Sequence, residues 1–133
     1  MIDRVLLGVF AHPDDETSCS AALMQRYAAE GIDIHVITAT RGEQGALGTG
    51  GVVISREDLP AVREAEQRLV FKYLGVTNPP IYLGYRDQEV GDADREEVVL
   101  KVLAVMERVK PDVVLAFGPT GLSNHVDHIA MHH

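Results

Sequence analysis

His12, Asp14, Asp15 and Glu16 crowd into one hexapeptide, Ala11-His12-Pro13-Asp14-Asp15-Glu16, directly after the apolar run Val5-Leu6-Leu7-Gly8-Val9-Phe10. Imidazole and carboxylate are suitable ligands for zinc, and an adjacent carboxylate that does not touch the metal can serve as base for its water. Such charge at the end of a buried strand needs compensation, and a divalent cation supplies it. The competing account is capping, since Asp and Glu are favoured at the start of a helix. A second group far along the chain, His125-Val126-Asp127-His128, favours the metal. If it opens a helix, its i, i+3 spacing puts both imidazoles on one side. Left in a loop, the two would be exposed polar residues. His132 stands at i+4 from His128, the spacing of a helical metal pair, but the terminal His132-His133 reads more simply as a solvated end or a tag remnant. His35, inside a strand, is read as structural.

The elements that must position these residues alternate. Val5 to Phe10 is a continuous apolar run, as in strands covered on both faces. Glu16 to Glu30 turns helical, with Cys19, Leu23 and Tyr27 on one face and Gly31 as its stop. Ile34 to Ala39 is a second strand, followed by a glycine-rich loop to about Ser55. A loop of that length in a compact domain is usually functional or disordered. A second helix starts near Asp58-Leu59-Pro60, presents Val62, Ala65 or Glu66, Leu69 and Tyr73, and ends at Gly75. Pro80 to Leu83 is a short third strand, and a third helix covers Ala93 to Val109 with Val98, Val102, Val105 and Val109 along one stripe. Pro111 breaks it, and Val113 to Phe117 is expected as a further buried strand.

This alternation predicts an α/β fold, a Rossmann-like parallel sheet with helices on both faces and strand order 3-2-1-4, in one domain over residues 1–133. In that order strands one and four are neighbours whose connections leave to opposite faces, and open α/β sheets bind ligands in that crevice. The His12 loop and the His125/His128 loop then converge.

With 12 basic and 20 acidic residues, the formal charge of -8 argues against nucleic-acid and anionic-membrane partners. Hydrophobic residues make up 46% and charged residues 24%, ordinary for a globular protein. No apolar run approaches the roughly 20 residues that span a bilayer. The one cysteine, Cys19, excludes an internal disulfide framework, and a cytoplasmic address is expected. The turn after the first strand lacks Gly-x-Gly-x-x-Gly, which speaks against dinucleotide binding.

The hexapeptide, Thr40-Arg41-Gly42-Glu43 and the late His125-Val126-Asp127-His128 together resemble the LmbE/PIG-L family of zinc-dependent N-acetylglucosaminyl deacetylases. The resemblance implies that His12, Asp15 and His128 bind Zn2+ or another divalent metal and that Asp14 is the general base. It implies that His125 is the acid or oxyanion stabiliser, and that Arg63 and Asp87 contact sugar hydroxyls. The implied reaction is removal of an N-acetyl group from an N-acetylglucosamine-containing small molecule, by a water whose pKa the metal lowers from about 15.7 toward about 7. A homo-oligomer is left open.

Three departures from the family pattern stand out. Val126 and Arg86 replace prolines, and Ser20-Ala21-Ala22 stands where Gly-Gly is frequent. The chain also stops five residues after His128, where relatives continue, so a C-terminally truncated version of the fold is expected. Two alternatives follow: a metal-dependent amidase or deacylase acting on another acylated sugar or glycopeptide, and an inactive metal-binding module.

Overall fold

A computed structural model describes residues 3–133. Four parallel strands, β1 (Val5–Phe10), β2 (Asp33–Thr40), β3 (Ile81–Tyr85) and β4 (Val113–Leu115), form one sheet in the order β3-β2-β1-β4. Helices α1 (Asp15–Ala29), α2 (Leu59–Leu74), α3 (Arg95–Val109) and α4 (Val126–His132) connect and cover it, with a short 3-10 turn at Val90–Asp92. The expected strand order and fold class are those observed. Leu7 is centred in the sheet, paired with His35 of β2 and Val114 of β4, and is completely buried.

The two faces are filled differently. α1 and α2 pack together over one face, where Met24 meets Gly8 and Phe10 of β1. On the other, Val9 shares a groove with Val98, Val102 and Met106 of α3 and with Met131 of α4. Leu6, Phe10, Val36, Ile37 and Phe71 complete a continuous apolar core. Asp94 starts α3 by accepting the backbone N–H groups of Glu96 and Glu97 at 2.9 and 3.2 Å, the cap that sets the start of a helix.

Three expectations about faces are corrected. In α1 the fully buried apolar residue is Met24, with Leu23 and Tyr27 partly buried against the core, and Cys19 is exposed because Glu16 rather than Cys19 occupies the inward stripe. In α2 the buried stripe runs through Gln67, Phe71 and Leu74, while Leu69 and Tyr73 are 54% and 76% exposed. The inward position is held by a polar side chain, Gln67, which hides the helical period from an apolar-only reading. Val113 and Val114 of β4 are also exposed, since this is an edge strand of only three residues.

Candidate metal and amide-hydrolysis site

The site forms where β1 and β4 end side by side, as the switch-point argument requires. β1 delivers His12 at its carboxyl end. The chain then turns sharply through Asp14, whose φ of 101° and ψ of -18° put a non-glycine residue in the left-handed region. Such a conformation costs about 1–3 kcal/mol and persists only where surrounding bonds hold it. The turn brings Asp15 back under His12: its Oδ2 accepts the His12 backbone N–H at 2.8 Å and that of Ala11 at 3.2 Å.

Beyond β4, the loop reaches α4 through Gly121. A Cβ there would lie 2.7 Å from Cβ of His128 and 2.9 Å from N of Ile129, so only glycine admits this approach. The Gly121 carbonyl accepts Nδ1–H of His128 at 2.9 Å, with Ser123 Oγ at 3.3 Å from the same nitrogen. His128 thus presents Nε2 to the site.

Three donors meet there. Nδ1 of His12 lies 3.2 Å from Nε2 of His128 and 3.5 Å from Oδ2 of Asp15, and Oδ1 of Asp15 lies 3.2 Å from Nε2 of His128. Tetrahedral ligands at the usual zinc distances of about 2.0–2.2 Å stand about 3.3–3.5 Å apart, close to each of these separations, with Asp15 reaching the two histidines through different oxygens. The far nitrogens are also correctly spent. Nε2–H of His12 donates to Asp127 Oδ2 at 2.9 Å and lies 3.0 Å from Asp87 Oδ1. Carboxylate and carbonyl partners of this kind fix the tautomer of metal-binding histidines. The residues fit the ion.

The electrostatics agree. Burial alone would lower the His12 pKa, but Asp127, Asp15 and Asp87 outweigh it and push it to about 11. In metal-free protein a proton therefore sits where a cation would. Burial opposes ionisation of Asp15 too, yet the ring and backbone N–H of His12 hold its carboxyl below the usual range. Asp87, bonded to His12 and to the Gln44 amide, is held down to about 2 against the effect of burial. Partial burial pushes Asp14 upward, against the pull of Arg63.

His12, Asp14, Arg63, Asp87 and His125 line one open cleft of about 240 Å³, together with Gln44, Gly45 and Gln88. Nδ1 of His125 accepts the backbone N–H of Asp127 at 3.2 Å, which leaves a neutral His125 with its proton on Nε2 as a donor. His125 also offers a ring nitrogen within 4.8 Å of those of His12 and His128, so a three-histidine set is a second geometric option. The backbone bond at Nδ1 and the closer Asp15 favour the set with Asp15. Arg63 is committed to its own chain: it donates to the carbonyls of Gly42 and Pro13 and to Asp14 Oδ2, the last at 2.9 Å. Asp87 places Oδ1 on His12 and Oδ2 on the Gln44 N–H.

Asp127 is the residue that spacing arguments passed over. It is completely buried, and besides His12 it accepts the backbone N–H of Gln88 at 2.7 Å and of Val90 at 3.1 Å. The available signal was its place between two histidines, where an acid has no apolar face to cover. His35 bonds to Asp33 at 2.9 Å, far from this cluster in role. His132 belongs to α4 and donates Nδ1–H to the Phe117 carbonyl at 2.7 Å, so it is a helical residue and not a loose end.

The family profile described as "PIG-L: GlcNAc-PI de-N-acetylase" matches residues 7–133. A 1D-myo-inositol 2-acetamido-2-deoxy-alpha-D-glucopyranoside deacetylase of Rhodococcus jostii (strain RHA1) is 34% identical over 99% of this chain and 52% of its own length. Among solved structures, N,N'-diacetylchitobiose deacetylase from Pyrococcus horikoshii superposes with a TM-score of 0.83 at 25% identity, over 98% of this chain and 47% of that one. A conserved protein from Thermus thermophilus gives 0.76 at 32% identity, over 98% and 52%. The chain spans about half the length of the curated relatives it matches. With its sheet order, its His12 turn and nearly every residue inside the matched region, this chain belongs to the PIG-L (LmbE) family.

Proposed function

We propose that residues 1–133 form one domain that hydrolyses the acetamide of an N-acetylglucosamine-containing small molecule. The similarity to the Rhodococcus enzyme makes a GlcNAc-inositol conjugate the first substrate to test. The observation that carries this reading is the mutual approach of His12 Nδ1, Asp15 and His128 Nε2 at 3.2–3.5 Å, directly beneath a cleft lined by His12 and Asp14. A cytoplasmic place of action belongs to the same reading; among the described residues no helix is long and apolar enough to cross a membrane.

His12, Asp15 and His128 would hold Zn2+, which would supply a water of lowered pKa and polarise the acetamide carbonyl. Asp14 is the base. It lines the cleft, its pKa is raised, and Arg63 fixes one of its oxygens while the other, without a hydrogen-bond partner among the described residues, can take a proton. It can return that proton to the leaving amine. His125, with its proton on Nε2, donates to the oxygen that gains charge as the carbonyl is attacked. Asp87, Gln44 and Gln88 offer hydrogen-bonding groups at the cleft for sugar hydroxyls. The products are acetate and a free amine.

Primary-amine release from GlcNAc-inositol, N,N'-diacetylchitobiose and a panel of acylated glycopeptides, with zinc-loaded protein, tests the reading. Amine release from an N-acetylglucosamine conjugate that falls about 100- to 10,000-fold, to a slow residual rate, in Asp14→Ala is expected. Activity confined to the glycopeptides would replace the substrate class, and full activity of Asp14→Ala would remove the base.

A further inference from the structure

The site described leaves one buried acid unused. Glu16 is completely buried and, among the described residues, has no Lys, Arg or His within ion-pair distance. Its hydrogen-bond partners are polar and neutral. Its carboxyl accepts Gln67 Nε2–H at 3.2 Å, the backbone N–H of Asp14 at 3.3 Å and the Thr17 hydroxyl at 3.4 Å. Gln67 is 2% exposed and is itself held on two more sides, donating to Thr38 Oγ1 at 3.0 Å and accepting the Tyr82 hydroxyl at 2.5 Å. A chain of hydrogen bonds thus runs from β2 and β3 through α2 to the peptide of Asp14.

A carboxyl buried without a cation is a poor source of stability, and apolar side chains of similar volume are often neutral or better in such places. What this one touches is the peptide of the residue at φ 101°. Arg63 and Gln67 sit one turn apart on α2, so that helix holds Asp14 twice: the side chain through Arg63, the backbone through Gln67 and Glu16.

We propose that Glu16 is the positioning residue for Asp14, keeping its peptide in the left-handed turn that aims its carboxylate into the cleft. The role rests on the reading of Asp14 as base, and Glu16 itself touches neither substrate nor metal.

The test uses the full chain with Glu16→Leu, which removes every acceptor, and Glu16→Gln, which keeps the shape and one acceptor oxygen. Hydrogen exchange at the Asp14 amide should quicken about tenfold in Glu16→Leu, the cost of one hydrogen bond, while the β1 amides stay protected. Glu16→Gln should restore most of that protection. Zinc stoichiometry and thermal midpoint should hold in both, with kcat falling about 10- to 100-fold in Glu16→Leu and KM little changed. On an Asp14→Ala background, Glu16→Leu should have no further effect on kcat. An Asp14 amide that exchanges at the wild-type rate in Glu16→Leu overturns the proposal, as does a kcat loss that persists in full without the Asp14 side chain. Should Glu16→Leu not fold, Gln67→Met, which removes the donor that holds the Glu16 carboxyl, carries the same exchange measurement, and an unchanged Asp14 rate there is equally fatal. Failure of the base reading shows separately, as activity retained in Asp14→Ala alone.

Discussion

Asp127 Oδ2 lies 2.9 Å from Nε2 of His12, so a residue of α4 sets the ring of a residue at the end of β1, 115 positions away. The same carboxylate takes the N–H groups of Gln88 and Val90, which ties the loop after β3 to both. One buried acid joins three segments that share no local sequence.

Asp127→Ala should therefore do two things. It leaves the buried N–H of Val90 without its acceptor, at about 1–3 kcal/mol, and that of the more exposed Gln88 at less, so the urea midpoint should fall. It also frees the His12 ring, which should weaken zinc binding by about 10- to 100-fold. Urea unfolding and zinc competition with a chromophoric chelator measure the two.

Metal uptake should release a proton. The folded, metal-free protein binds His12 H+ more tightly than the unfolded chain, with pKa values of about 11 and 6.5. That raised value contributes stability in full below pH 6.5, and the contribution is lost as pH rises through about 11. Asp87 is the reverse: lowered from 3.8 to about 2, it contributes above 3.8 and fails as pH falls through about 2. Stability of the metal-free protein should thus decline from neutral pH toward 11, and zinc should flatten that decline. Calorimetry in buffers of different ionisation enthalpy should show proton release per zinc bound at pH 8.

Arg63 separates two roles by kinetics. Its guanidinium is already shared among Gly42, Pro13 and Asp14, yet it lines the cleft. Should it mainly hold Asp14, Arg63→Ala lowers kcat by about 10- to 100-fold with a smaller rise in KM. A KM rise at constant kcat would make it a sugar contact instead.

Gly42 should not tolerate a side chain. Its φ is +66°, and a Cβ would fall 1.9 Å from Nη1 of Arg63. Gly42→Ala is expected to cost about 1–3 kcal/mol in unfolding experiments and to reproduce part of the kinetic loss of Arg63→Ala, because the guanidinium must move.

The sheet order and the meeting of His12 with His128 were legible because strand-like and helical patterns alternate and each histidine follows a strand. Hidden features were those in which a polar group takes an inward position. Gln67 occupies the buried stripe of α2, so Leu69 and Tyr73 looked like its core face although both are exposed. Glu16 does the same in α1. Asp127 was passed over because its donors, from Gln88, Val90 and His12, come together only in the folded chain. The exposure of Val113 and Val114 follows from β4 standing at the sheet edge, which strand composition does not encode.

Metal content per chain, measured after dialysis against trace zinc, tests the central claim most directly. One zinc is expected in the wild type, in Asp14→Ala and in His125→Ala, with none retained by His12→Ala, Asp15→Ala or His128→Ala. Zinc retained in Asp15→Ala and lost in His125→Ala would contradict the account, and would move the site to the three histidines His12, His125 and His128.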